Sequence, residues 1–310
     1  DPLEEYLPEF KNPKVYKVTS NGSLYISPAS RPLIIKDLFT MSSGLPYEGN
    51  DTETGRQIAR KINELKSKSE GGKFDIRALS KAIAEIPLAF DPGTHWMYGM
   101  SHDILGALIE VLSGKKFSQF LKDEIFDPLG MKDTSFRISE DKRNRLCTMY
   151  DRSKDGVLTK NTNAGERVGA RFEPDDILEC GGSGLLSTLG DYSRFAHMLA
   201  RGGELDGVRI LSRKTIELMA TNHLNPQQLA DFNWPYLAGY GYGLGVRTMI
   251  DPAAGGCNGS IGEFGWSGLA GTWVMIDPKE QLSAVYMQQM LPNFEAYHQP
   301  RLRNVIYGSI

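Results

Sequence analysis

The sequence lacks long apolar runs, a strong excess of charge of one sign and a cysteine framework. Its apolar stretches, such as residues 33–35 and 107–109, are far shorter than the roughly 20 residues that span a bilayer. Lysine and arginine number 35 and aspartate and glutamate 38, which gives a net charge of −3. We therefore expect no transmembrane helix, and the charge favours neither a nucleic-acid surface nor a polybasic membrane patch.

Cysteine is also scarce. The three residues Cys147, Cys180 and Cys257 are odd in number and far apart. This pattern fits neither a disulfide framework nor a zinc site with paired ligands, so we expect three free thiols. No metal or organic cofactor is predicted.

What is present is periodicity along 310 residues, of which 40 % are hydrophobic. Residues 32–126 have a helical pattern, and the best-defined helix starts after Ser101 as a candidate N-cap and stops at Gly114. Residues 240–246 alternate as a strand does, and two further strands at 272–276 and 282–287 are joined by a turn. Residues 294–306 have helical spacing.

These patterns predict an α+β fold, an antiparallel sheet flanked by helices with a mostly helical domain inserted into it. We expect residues 1–30 and 176–310 to form the sheet domain and residues 31–175 the helical domain. A sheet of only three or four strands would leave an edge exposed. The sequence therefore predicts that the N-terminal part of the sheet domain is absent from this chain.

Three local motifs follow one another along the chain. The first is LIIKDLFTMSSGL at residues 33–45, the second is DPGTHWMYGMSHDILG at residues 91–106, and the third is GEFGWSGLAGT at residues 262–272. Together and in this order they resemble the class C β-lactamase-like and penicillin-binding-protein-like family of serine hydrolases, in its esterase-type branch. This family has a β-lactamase/transpeptidase-like fold and also contains D-aminopeptidases and DD-peptidases.

By this resemblance, Tyr98 in the second motif is the catalytic tyrosine. A phenol with a pKa near 10 can act as a base near neutral pH only if neighbouring cations stabilise its anion or if it relays a proton to an amine. Met100 stands where β-lactamases carry an asparagine, which favours the esterase branch. We place Met100, Ser101 and Asp103 in the substrate pocket, with Asp103 either capping the helix or orienting the loop.

The third motif resembles the element that is Lys-Thr-Gly in β-lactamases and Trp-x-Gly or His-x-Gly in esterases. Here it consists of Trp266, Ser267 and Gly268, and the tryptophan again favours the esterase branch. A glycine lets substrate lie against the strand edge, where a backbone N–H reaches the developing oxyanion. The resemblance implies that this donor is the amide of Leu269.

The nucleophile of this family is the serine of an S-x-x-K motif on a helix. The sequence has two formal matches, Ser113 with Lys116 and Ser139 with Lys142. Ser113 is predicted at a helix C-terminus, where carbonyl groups disfavour an oxyanion, and Ser139 lies in a run of charges. Ser101 and His102 would point in different directions on a helix. We therefore expect the nucleophile upstream of Asp1, because residues 1–10 resemble the segment that follows the family's motif.

The resemblance implies a carboxylesterase-like hydrolase that forms an acyl-serine intermediate on a small ester, amide or peptide substrate. A D-aminopeptidase, a DD-peptidase or a weak β-lactamase is the alternative within the same fold. A non-catalytic member that binds peptidoglycan fragments or a protein is the alternative from another class. The cytoplasm is favoured as the cellular location, but the location stays open because any signal peptide would precede Asp1. The oligomeric state is not predicted.

Overall fold

The computed structural model describes residues 1–162 and 177–310. The helices are α1 Ile35–Phe39, α2 Glu53–Lys68, α3 Ile76–Ala84, α4 Ser101–Ser113, α5 Phe117–Leu121, α6 Asp127–Leu129, α7 Leu189–Ala200, α8 Arg213–Met219, α9 Pro226–Asp231, α10 Pro252–Gly255 and α11 Glu295–Tyr307. A π-helical turn, Lys122–Phe126, joins α5 to α6. None of these described helices is long and apolar enough to cross a membrane.

The strands are short and mostly antiparallel. They are β1 Lys14–Val18, β2 Leu24–Pro28, β3 Tyr150–Arg152, β4 Leu158–Lys160, β5 Glu204–Leu205, β6 Val208–Arg209, β7 Tyr240–Tyr242, β8 Arg247–Met249, β9 Phe264–Ser267, β10 Trp273–Asp277, β11 Leu282–Tyr286 and β12 Met290–Leu291. Helices and antiparallel strands together confirm the predicted α+β class.

The described residues form two compact units. The helical unit comprises Asp1–Phe120, residues 177–183 and Leu224–Phe232. The sheet unit comprises residues 121–162, Gly184–His223 and Asn233–Ile310. These boundaries differ from the predicted domains, in which residues 1–30 belonged to the sheet.

The N-terminal segment groups with the helices because its apolar side chains are buried among them. Leu3, Leu7 and Phe10 lie in the core of the helical unit together with side chains of α2, α3 and α4. The hairpin of β1 and β2 was not predicted, although its turn contains Asn21-Gly22, a strong hairpin signal. The backbone N–H of Tyr16 in β1 donates to the Leu88 carbonyl (2.9 Å), which ties the hairpin to this unit.

Several helices of the helical unit begin at capped residues. The Thr52 hydroxyl accepts the Gly55 N–H at the start of α2, and the Asp75 carboxylate accepts the Ala78 N–H at the start of α3. Helix α4 differs from the prediction, because Met100 and not Ser101 occupies the N-cap position and no side chain caps the helix. It ends at Gly114 with a positive φ of 68°, as predicted.

The main sheet of the sheet unit has five antiparallel strands in the order β11-β10-β9-β8-β7. Its apolar face packs against α7, with Phe264, Val274 and Ile276 in one core with Ala196 and Leu199. The predicted hairpin between β10 and β11 is confirmed. Helix α11 confirms the predicted C-terminal helix, and its Tyr307 hydroxyl donates to Asp277 of β10 (2.6 Å).

The prediction of one strand over residues 240–246 was wrong. The segment is a hairpin arm and turn, in which β7 ends at Tyr242 and β8 begins at Arg247. The Gly243 N–H donates to the Val246 carbonyl (2.7 Å), and Gly245 has a positive φ of 84°. Glycines at alternate positions gave the sequence the two-residue period of a strand, although this segment contains a turn.

Candidate active site

The loop that carries Tyr98 is held in place by main-chain hydrogen bonds from the first motif. Four backbone N–H groups of the loop donate to carbonyls of residues 41–45, each at 2.9 Å: Ala89 to Gly44, Gly93 to Ser42, Met97 to Met41, and Met100 to Leu45. Two of these bonds flank Tyr98 directly. The first motif, which the sequence identified only as a family marker, therefore fixes the backbone on both sides of the predicted catalytic tyrosine.

Glycines allow close packing around this loop, and at Gly99 a Cβ atom would lie 2.1 Å from the Leu45 carbonyl oxygen. Gly44 has a φ of +81°, and a Cβ atom there would lie 2.9 Å from the Phe90 carbonyl oxygen. Gly93, at φ +78°, packs against the Arg31 guanidinium, which pairs with both carboxylate oxygens of Asp37 in α1 at 2.8 Å each. Helix α1 ends five residues before Gly44, so Gly44 shapes the following turn and does not terminate the helix.

The half-buried Tyr98 ring lies beside two other aromatic rings. The Tyr47 ring meets it edge-on at 5.6 Å between centroids, and the Trp96 ring stacks at 6.3 Å. Trp96 is itself fixed, because its backbone N–H donates to the Asp231 carboxylate (3.1 Å) and its ring packs edge-on against Phe232 (4.8 Å). Sequence reasoning missed this support, since Asp231 and Phe232 stand more than 130 residues after Trp96 and belong to no motif.

Two of the predicted pocket residues lie inside the helical unit. Met100 is 5 % exposed and packs in the hydrophobic core. Ser101 is fully buried, and its hydroxyl shares a hydrogen bond with the Ser43 hydroxyl (2.8 Å). Their burial differs from the predicted pocket position and favours a supporting role, in which they tie the start of α4 to the first motif.

Asp103 is a buried carboxylate in the first turn of α4. It accepts the Gly182 N–H (3.3 Å) and a hydrogen bond from the Cys180 thiol, while Oδ2 has no hydrogen-bond partner. Burial raises the pKa of Asp103 from 3.8 to about 6, more than these hydrogen bonds lower it. Because no side chain caps α4, the structure favours the alternative that Asp103 orients a loop, here the loop at Gly182.

The neighbouring His102 has the opposite shift. Its ring donates to the Phe39 carbonyl at the end of α1, and desolvation lowers its pKa from 6.5 to about 4. A buried histidine of low pKa stabilises the fold above pH 6.5 and loses that stability as pH falls towards 4. A buried aspartate of raised pKa does the reverse, since its ionisation between pH 3.8 and 6 destabilises the fold.

We therefore expect the two effects to cancel in the wild-type protein and to separate in variants. With Asp103→Asn the free energy of unfolding should rise between pH 4 and 6.5 by about 3 kcal/mol relative to wild type, and with His102→Gln it should fall over pH 4 to 6 by about 3 kcal/mol, at 1.36 kcal/mol per pKa unit. Urea unfolding at half-unit pH intervals measures both. The double variant should follow the wild-type profile, whereas single-variant profiles parallel to wild type would contradict the two pKa shifts.

Both formal S-x-x-K matches have side chains engaged elsewhere. The Ser113 hydroxyl donates to the Ile109 carbonyl (2.7 Å), and Lys116 pairs with Asp75 (3.2 Å) and Glu110 (3.8 Å). In this first pair, therefore, the lysine amine does not bond to the serine hydroxyl.

The second match is similarly engaged. Lys142 donates to the Lys132 carbonyl and pairs with Asp133, each at 2.8 Å. Ser139 is exposed and its hydroxyl bonds to Asp141.

In the sheet unit, the third motif forms β9 and the turn that follows it. Trp266 and Ser267 lie on β9 itself, so the tryptophan belongs to a strand. The Trp266 ring meets the Tyr242 ring edge-on at 5.3 Å and the Trp234 ring at 6.4 Å. The Ser267 hydroxyl donates to the Glu295 carboxylate at the start of α11 (2.5 Å).

Gly268 and Leu269 open the tight turn from β9 to β10. The Gly268 N–H donates to the Thr272 carbonyl (2.8 Å), and a Cβ on Gly268 would lie 2.3 Å from the Thr272 hydroxyl. The Asn293 side chain donates to the Leu269 carbonyl (3.1 Å), which fixes the orientation of this peptide. Asn293 and Glu295 thus hold the turn, and sequence reasoning found neither because both stand outside the motif, more than 20 residues further along the chain.

Comparison with known proteins identifies the family of this chain. Residues 1–306 match the family described as Beta-lactamase. Protein Rv1367c of Mycobacterium tuberculosis is 31 % identical over 298 residues, which covers 94 % of this chain and 71 % of that protein. The lovastatin esterase of Penicillium rubens is 29 % identical, with 88 % of this chain and 68 % of that protein covered.

The solved structure of simvastatin synthase (LovD) from Aspergillus terreus superposes with a TM-score of 0.80 over all of this chain and 77 % of that one. At 21 % identity this likeness concerns the fold, and it supports the β-lactamase/transpeptidase-like architecture predicted from the sequence. The family match covers nearly the whole chain, and relatives with esterase names are among the similar proteins. The chain belongs to the beta-lactamase family, in which it is similar to proteins named as esterases.

Proposed function

We propose that the protein is a carboxylesterase-like serine hydrolase that acts on small esters or amides through an acyl-serine intermediate. In this proposal Tyr98 takes the proton of the nucleophilic serine, the Leu269 N–H stabilises the oxyanion, and Trp266 forms a wall of the acyl pocket. The esterase names of the Penicillium and Burkholderia gladioli relatives support the reaction class. No organic cofactor or metal takes part in the proposed steps.

The observation that carries the proposal is the hydrogen bonding of the Leu269 backbone carbonyl and N–H. Its carbonyl is held by Asn293, and its N–H has no acceptor among the residues that the structure describes. An oxyanion donor must be oriented before the reaction and free to bond with the charge that develops. The Leu269 amide has both properties, and the tight turn at Gly268 keeps it so.

The proposal places the nucleophile on an S-x-x-K helix outside residues 1–310. It does so because Ser113, Ser139 and their lysines bond to carbonyls and carboxylates instead of to each other. In this account the chain alone is not acylated. Catalytic groups act as a unit, so loss of the nucleophile removes nearly all turnover.

The substrate preference of a version extended upstream of Asp1 tests the proposal. Met100 and Trp266 stand where β-lactamases carry an amide and a lysine, so we expect short-chain nitrophenyl esters to be hydrolysed at least about 10-fold faster in kcat/KM than a chromogenic cephalosporin, a difference of about 1.4 kcal/mol in transition-state stabilisation.

A labelling experiment is the control for this measurement. A fluorophosphonate probe should label one serine upstream of Asp1 in the extended chain, and it should not label Ser101, Ser113 or Ser139 in either chain.

Other outcomes of the substrate comparison would indicate other functions. Faster cephalosporin hydrolysis would indicate a β-lactamase of the same fold. Cleavage of D-amino acid amides in preference to esters would indicate a peptidase, and binding of peptidoglycan fragments without turnover would indicate a non-catalytic member.

A further inference from the structure

Two arginine side chains are buried in the sheet unit. Arg247 of β8 is 2 % exposed and Arg303 of α11 is 1 % exposed. Their guanidinium carbons lie 5.0 Å and 5.5 Å from the centroid of the same ring, that of Tyr240. An arginine removed from water needs a compensating anion, because the loss of hydration is large and ring contacts replace only part of it.

The two arginines differ in their partners. Arg303 forms a two-point ion pair with Glu263, whose Oε1 accepts from Nη1 at 2.8 Å and whose Oε2 contacts Nη2. Arg247 forms no ion pair or side-chain hydrogen bond with residues 1–162 or 177–310, and its Nε is buried without an acceptor. Burial lowers the pKa of Arg247 from its ordinary value, as expected for an uncompensated cation.

Among the described residues no other group bonds to the Arg247 guanidinium. Glu295 is an anion that acts on Arg247 electrostatically, but it forms neither an ion pair nor a hydrogen bond with Arg247, and its Oε2 accepts from the Ser267 hydroxyl (2.5 Å) and the Gln299 amide (3.2 Å). Burial raises the pKa of the Tyr240 phenol, so this side chain is neutral. Of the two buried cations, only Arg303 therefore has a carboxylate bonded to it, that of Glu263.

Both guanidinium groups border a cavity of about 250 Å³. Its lining includes Tyr236, Tyr240, Arg247, Cys257, Gln299 and Arg303. Each molecule in liquid water occupies about 30 Å³, so the cavity has room for a ligand of several non-hydrogen atoms. Arginine presents a planar fork of N–H donors that matches a carboxylate or phosphate group.

We propose that this space, which we name the arginine cavity, binds a small oxyanion through the Arg247 guanidinium, with Arg303 and Gln299 at its border. The ligand carries a carboxylate or a phosphate group and supplies the charge that Arg247 lacks. This proposal does not depend on the catalytic roles proposed above.

The first test measures thermal stability of this chain in chloride, inorganic phosphate and propionate at matched pH and ionic strength. Phosphate or propionate should raise Tm in a saturable way, since a ligand that binds only the folded state stabilises it by mass action. Saturation with phosphate alone identifies a phosphate site, and saturation with propionate alone identifies a carboxylate site. Equal Tm values in all three salts would overturn the proposal.

The second test replaces the arginine. We expect Arg247→Met to weaken binding of the effective anion at least about 10-fold, because a charge-assisted hydrogen bond is lost. Without anion, Arg247→Met should melt at the same temperature as wild type or higher, because an uncompensated buried charge has been removed. Arg301→Met is the matched control on α11, since Arg301 is exposed over the Tyr297 ring, and it should bind the anion as wild type does.

Hydrogen exchange on the wild-type chain keeps the test decisive even if the variant is unstable. The anion should slow amide exchange in β8 and in the last two turns of α11. A Tm rise that Arg247→Met retains, or protection confined to other segments, would show that the anion binds elsewhere and that Arg247 has only a structural role.

Discussion

Tyr98→Phe is expected to lower kcat by about 10² to 10⁴, or roughly 3 to 5 kcal/mol, the usual contribution of a general acid–base group. The change removes one oxygen atom and keeps the ring, so the contacts with Tyr47 and Trp96 remain. The loop backbone is held by main-chain bonds that the substitution does not touch. The measurement is ester hydrolysis at saturating substrate by a version of the chain that the fluorophosphonate probe labels.

Two observations make the result interpretable. Tyr25→Phe, at an exposed position of β2, should leave kcat unchanged and serves as the matched control. Urea unfolding should give the same stability for Tyr98→Phe as for wild type. A loss of activity below about threefold would show that Tyr98 is a packing residue, and the proposed base would then have to be sought elsewhere.

Arg303→Met is expected to lower the free energy of unfolding by about 3 to 5 kcal/mol, because it leaves the Glu263 carboxylate buried without its partner. Both side chains are at most 2 % exposed in the ion pair, so water cannot compensate for the loss. Removal of both charges, in Arg303→Met with Glu263→Met, should recover most of this stability. The comparison requires a buffer free of phosphate and carboxylate, so that the arginine cavity stays empty.

The exposed pair of Arg213 and Glu217 on α8 provides the control. Its side chains are 67 % and 45 % exposed, and solvent screens their attraction. Arg213→Met should therefore unfold at the same urea concentration as wild type. If Arg303→Met were as stable as this control, or if the double variant were no more stable than the single one, the energetic account of the buried pair would be wrong.

The motifs were predictable from the sequence, whereas their supports were not. Tyr98 and Trp266 stand in short contiguous patterns that the family keeps together. Asp231 and Asn293 hold those patterns from positions far along the chain, and a local pattern cannot show that two distant segments touch. The sequence therefore identifies candidate chemistry better than the contacts that orient it.

Two errors have the same physical origin, in that a local pattern has more than one structural solution. Alternation at residues 240–246 suggested a strand, but Gly245 permits the turn that the backbone adopts. Ser101 is a residue type that often caps helices, yet its hydroxyl shares a buried hydrogen bond with the Ser43 hydroxyl. In both cases tertiary contacts decided between alternatives of similar local propensity.

Charged residues show a further limit of sequence reasoning. A net charge of −3 with mixed signs suggests a solvated surface, and most charged side chains fit that description. Asp103, Arg247, Glu263 and Arg303 do not, because all four are nearly inaccessible to water. Nothing in composition or periodicity separates a buried arginine from an exposed one.

The main-chain bonds between residues 41–45 and the Tyr98 loop bear on how far such a protein can diverge. Most of the contact is made by peptide groups, which every residue type supplies, and Gly44, Gly93 and Gly99 depend strongly on the side chain that is missing. Substitutions at positions whose side chains take no part in these contacts can accumulate, by drift or in a mutant library, while the backbone beside Tyr98 keeps its course. Trp96 is not among them, because its ring packs against the rings of Tyr98 and Phe232.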